Sequence, residues 1–179
     1  MIKPRLLVLT LIVLAAAATR IAPHPPNMTS IAALALFAGA HFEDKRLAFA
    51  VPLIALFLAD LVIGFHRGMP IVYLSFALIV GVGLWLRTHR QAALIAGATL
   101  FSSILFFALT NLSVWAFSGM YARTAAGLAA CYVAALPFFG NSVIGDLFYA
   151  LALFGGFALL ERRFTVLRTP QMPGTMFAT

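Results

Sequence analysis

The sequence predicts an all-α integral membrane protein: a bundle of about six transmembrane helices with a short extra outer-side helix before the last span. Composition is the first reason. Hydrophobic residues make up 63% of the 179 residues and charged residues 9%, and the mean hydropathy is +1.03, which leaves too little polar surface to cover a soluble globule. Second, apolar runs recur at lengths near the ~20 residues that cross a ~30 Å hydrocarbon core. Third, the basic residues cluster in alternate connections between those runs.

The runs read as helices at Arg5 to Ala22, Thr29 to Phe42, Leu47 to Phe65, Pro70 to Leu86, Gln91 to Asn111 and Asn141 to Leu160. The second is short. Asn27, Thr29 and Ser30 suit its start, Glu43 to Arg46 stop it, and it either spans tightly flanked or is re-entrant. Thr124 to Leu136, followed by Pro137 to Gly140, reads as an interfacial or half-inserted helix. Residues 1–164 form a single helix-bundle domain, with 165–179 a flexible cytoplasmic tail containing Pro170, Pro173 and Gly174. The first run also resembles a signal peptide, with Lys3 and Arg5 before it and small residues Ala15 to Ala18 within it. The other spans keep the same orientation whether or not it is cleaved.

With both termini on one side, that side carries Lys3, Arg5, Lys45, Arg46, Arg87, Arg90, Arg162, Arg163 and Arg168, against Arg20, Arg67 and Arg123 on the other. This bias fits a membrane protein with both termini cytoplasmic. Counting Thr124 to Leu136 as a full span erases it. The formal charge of +7 is scattered through short turns without a basic stripe or interleaved aromatics, so lipid headgroups rather than nucleic acid are the expected neighbours. The single cysteine, Cys131, rules out an intrachain disulfide and a cysteine-cluster metal site.

Asp60 and Asp146 stand out among the five acids. Glu43, Asp44 and Glu161 lie beside Lys or Arg in charged turns, whereas these two interrupt apolar runs, where an ionisable group is expensive. On the predicted spans they sit roughly 9 Å and roughly 7.5 Å below the outer helix ends. Near that level fall Arg20, Asn27, Asn111, Trp115, Tyr121 and Asn141, with His24, His66 and Arg67. Together they suit an outward-facing ligand pocket with apolar walls and a few oriented polar groups. Other readings stay open. Asp60 could pair with Arg20, and Asp146 could fasten a backbone break near Gly140 and Asn141. Trp115 and Tyr121 also suit an aromatic belt, Asn111 a helix C-cap, and His24, His41, His66 and His89 an interfacial setting. Small residues, among them Ala32, Ala33, Ala35, Ala38, Gly81, Gly83 and Gly97, permit close helix approach.

No nucleotide-binding loop, zinc-protease motif or hydrolase elbow is present in the sequence. No catalytic, metal or cofactor site is therefore expected, and any energised transport needs a partner or an ion gradient.

The stretches PPNMTSIAALALFAGAHF, VPLIALFLADLVIGFH, LFFALTNLSVWAFSGMY and CYVAALPFFGNSVIGDLFYALALFG resemble a family of small bacterial membrane proteins grouped with transport but of unknown function. That family is similar to the substrate-binding S components of energy-coupling-factor (ECF-type) vitamin transporters. The resemblance runs from about Arg20 to Glu161 and implies a six-helix bundle that takes up a vitamin-like micronutrient from its outer face, alone or with a separate energising transport module. It also implies a small-residue docking face of the Ala-x-x-x-Ala type, a spacing that Ala18 and Ala22 match. Solitary cobalamin transporters of similar build use a cysteine ligand; Cys131 is the single cysteine, but its surrounding sequence departs from that motif and the role is not carried over. The expected function is a substrate-binding or uptake component; the alternatives are a non-catalytic assembly or accessory subunit of a larger membrane complex and, third, a membrane enzyme.

Overall fold

A computed structural model describes residues 3–23, 25 and 27–168, and among these every regular element is helical. Six helices follow one another: α1 (Pro4–Ala18), α2 (Ile31–His41), α3 (Lys45–Ile63), α4 (Met69–Trp85), α5 (Ala92–Phe117) and α6 (Ala125–Arg163). Four of them, α3, α4 with the 3-10 turn that follows it, α5 and α6, are long and apolar enough to cross a membrane, which marks the chain as a membrane protein.

The short α2 is the axis of the bundle. Its sequence, IAALALFAGAH, is apolar on every side, and all its residues except Ile31 are buried, the outcome expected of a helix without a polar face. Around it α1, α3, α4, α5 and α6 follow in neighbouring order. The ring closes where Arg5 of α1 donates to Glu161 of α6 at 2.6 Å and to the Leu167 carbonyl.

The tightest crossing joins α2 to α4. A Cβ on Gly39 would lie 2.3 Å from the Val80 carbonyl oxygen, and one on Gly83 would lie 2.3 Å from that of Leu36. Only hydrogen fits at either position, so two backbones touch there. Gly83 thus has the packing role its sequence setting suggests, whereas a Cβ on Gly81 or Gly97 would meet open space.

Several expectations change. Thr124 to Leu136 is not a separate helix before the last span, because it continues through Pro137 and Asn141 into one 39-residue helix ending at Arg163. Pro137 removes one backbone donor but leaves the helix unbroken, as membrane helices tolerate when flanking turns carry the load. A π-helical turn at Leu151–Gly155 interrupts α6 lower down and brings Phe154 edge-on to Phe37, with centroids 5.4 Å apart. Helix α5 also runs past Asn111, whose side chain donates to the Phe107 carbonyl at 2.8 Å within the helix instead of capping it.

At 11 residues, α2 is about 16 Å long and does not span. Helix α1 ends at Ala18, so Ala18 and Ala22 do not share a helical face. His41 is buried against Phe37, Phe154 and Phe157 instead of lying at an interface. Thr165–Leu167, expected as the start of a flexible tail, form a 3-10 turn with Leu167 buried. Residues 169–179, and with them the rest of the predicted tail, lie outside the described residues, as does His24.

Candidate ligand-binding site

The two ends of α2 organise the charged groups of the bundle. At its C-terminal end, the Arg87 guanidinium donates to the Gly39 carbonyl at 2.9 Å, the Glu43 carbonyl at 3.2 Å and the Phe42 carbonyl, while Arg90 donates to the Ala40 carbonyl at 3.0 Å. These cations satisfy acceptors that a helix end leaves open and oppose the negative pole of its dipole. Lys3, Glu43, Arg5 and Glu161 meet at the same end of the molecule.

The N-terminal end of α2 faces the opposite sign. Asp146, halfway along α6, accepts a hydrogen bond from the Ala33 amide at 3.4 Å and one from the Ser103 hydroxyl of α5 at 2.8 Å. A carboxylate belonging to another helix therefore caps α2, a favourable place for negative charge. The approach is close: a Cβ on the adjacent Gly145 would lie 3.2 Å from the Cα of Met28, in the segment leading into α2. Asp146 is some 31 Å of helix from the start of α6 at Ala125, because α6 begins well before Asn141, where the sequence places the start of the last span.

Asp60, in the last turn of α3, has a different setting. Its Oδ1 accepts from Arg20 at 3.1 Å and its Oδ2 from the Tyr73 hydroxyl at 3.0 Å. The pair is well buried, with 12% of the Arg20 side chain and 2% of the Asp60 side chain exposed. This is the pairing that the sequence left open, with Tyr73 of α4 as an added partner.

Asp146 and Arg20 both line a cavity of about 460 Å³, within the range of small-molecule sites. Arg20, Asn27, Asn111, Tyr121 and Asp146 line it, as do His66, Ser103, Thr110, Cys131 and Ser142; Phe106, Phe107 and Phe138 provide aromatic walls. Asp60 reaches this space only through Arg20. Asn27 sits at a turn with φ of 61°, in the left-handed region that Asn tolerates better than most residues.

Two sequence candidates do not line the cavity. Trp115 turns away and donates its indole N–H to the Ala122 carbonyl at 2.9 Å, fastening the end of α5 to the turn before α6. Asn141 lies half-buried on α6. Cys131 is buried with its thiol 3.5 Å from the Asn111 carbonyl, and no group of three metal-ligating side chains occurs among the described residues.

Sequence reasoning missed Tyr73, Ser103, Thr110 and the phenylalanines. Only Ser103 carried a usable signal: it belongs to a Ser-Ser pair inside the apolar run LFSSILFF, where hydroxyls need partners. Tyr73 and the phenylalanines look like ordinary membrane-helix residues until the helices are placed.

The model of a family described as "Family of unknown function (DUF6580)" matches residues 1–171. The chain belongs to this family. No curated protein and no solved structure matches it. The family's match takes in all six helices and every residue that lines the cavity.

Proposed function

We propose that the protein is a membrane transport component that binds a vitamin-like micronutrient and takes it up from the outer face of the bacterial cytoplasmic membrane. The observation that carries this reading is the cavity itself. It is large enough for a small organic molecule and has aromatic walls, with Asp146 and Ser103 on one side and Arg20, Asn27 and His66 among its other lining groups. Few polar groups fixed by helices on an otherwise apolar surface is the usual build of a small-molecule site.

Orientation follows from charge. The end of the molecule where Arg87, Arg90, Arg5 and Lys3 gather is the cytoplasmic one under the positive-inside rule, which turns the cavity outward. The resemblance to S components adds a separate energising module as a candidate partner, since the chain carries no nucleotide-binding loop of its own.

Mass spectrometry of small molecules retained after gentle purification tests this reading. One organic molecule should co-purify stoichiometrically with the wild type and be lost on Ala135→Trp, which fills the cavity from α6. Retention unchanged by that substitution would remove the cavity from the proposal. A stable protein partner with no retained small molecule would favour the accessory-subunit alternative.

A further inference from the structure

The geometry points to an organic cation as the ligand of this cavity: a molecule with a protonated amine or amidine set against Asp146 and a flat apolar body between the phenylalanines. This inference rests on the cavity being the binding site. Among the described residues two charged side chains, Arg20 and Asp146, line it together with His66, and they differ in their state of neutralisation. Arg20 is balanced by Asp60 at 3.1 Å. Asp146, 5% exposed, has no basic group within 4.0 Å among the described residues.

Its partners, the Ser103 hydroxyl and the Ala33 amide, supply dipoles but no full charge. A buried carboxylate held only by dipoles is far less favourable than one facing a cation. Among the described residues the cavity wall that contains it therefore offers no basic group in contact with the carboxylate, a place that a cationic ligand can take. A metal ion is the poorer match, because no cluster of three ligating side chains stands there among the described residues. The ring walls of Phe106, Phe107 and Phe138 suit a flat organic body, and aromatic faces attract cations as well.

A matched set of probes that differ only in the charge of one end group tests the assignment. The full chain in lipid nanodiscs is titrated with 2-phenylethylamine, 2-phenylethanol and 3-phenylpropionate, and thermal unfolding is followed by circular dichroism, with empty nanodiscs correcting for partition into lipid. The amine should bind at least tenfold more tightly than the alcohol, with the carboxylate weakest, and Asp146→Asn should bring the amine down to the level of the alcohol. An alcohol or carboxylate that binds as tightly as the amine overturns the inference, and so does absence of binding by all three. The ranking on the wild type decides even where Asp146→Asn fails to fold. Ala135→Trp separates the two levels. Loss of all probes in that variant together with an amine preference unchanged in a folded Asp146→Asn removes the cation assignment alone, whereas binding that survives the filled cavity removes the site.

Discussion

The two ends of α2 solve the same electrostatic problem in different ways. At the C-terminal end, Arg87 and Arg90 cover four carbonyls between them, the glycine seam with α4 leaves no room for a methyl group, and Phe37, His41, Phe154 and Phe157 interlock. At the N-terminal end one carboxylate does the capping, held in turn by the Ser103 hydroxyl, and an open cavity begins beside it. The closed half fixes where α2 sits; the open half sets a buried carboxylate beside the cavity. Stability should therefore be concentrated in one half and binding in the other.

Substitutions can break that division, beginning with the largest effect. Gly83→Ala forces a Cβ against the Leu36 carbonyl and should destabilise the protein by about 3 kcal/mol, as overpacking against rigid backbone does, measured by unfolding in mixed micelles. Arg87→Met strips cover from three carbonyls and should cost about 2 kcal/mol in the same assay. Tyr73→Phe removes the hydroxyl from Asp60 and should cost about 1 kcal/mol, with the Arg20 pair kept. Asp146→Asn should be the mildest, under about 1 kcal/mol, because the amide oxygen can still accept at the helix terminus. Its effect on amine binding should nonetheless be the greatest of the four. A larger stability loss for Asp146→Asn than for Arg87→Met would show that both halves share the structural work.

Much of the helical plan was legible because long apolar runs bounded by charged turns admit few other structures. Helices α3 and α4 fall within a few residues of their expected limits. The failure at Thr124 to Gly140 has a specific cause. Pro137 and Gly140 are helix breakers in water, but within a membrane bundle the alternative to a helix is unsatisfied backbone, so the helix continues. Asp60 and Asp146 were visible as charges out of place. Arg20 was legible as a partner for Asp60; Tyr73, Ser103 and the Ala33 amide were not, since they come near only once the helices are placed. The central place of α2 was also hidden: its shortness suggested a marginal element, whereas its uniformly apolar surface was the more informative property.

The continuity of α6 sets up a hydrophobic mismatch. Its 39 residues extend about 58 Å at 1.5 Å each, almost twice a ~30 Å hydrocarbon core, and apolar side chains such as Val133, Leu136, Ile144, Phe148 and Leu159 face outward along most of that length. Such a helix must lean steeply or lift its upper turns out of the lipid. The cavity is lined by the stretch of α6 from Cys131 to Asp146, so its depth below the membrane surface varies with bilayer thickness. Acyl-chain length then becomes a control on how readily a ligand reaches Asp146.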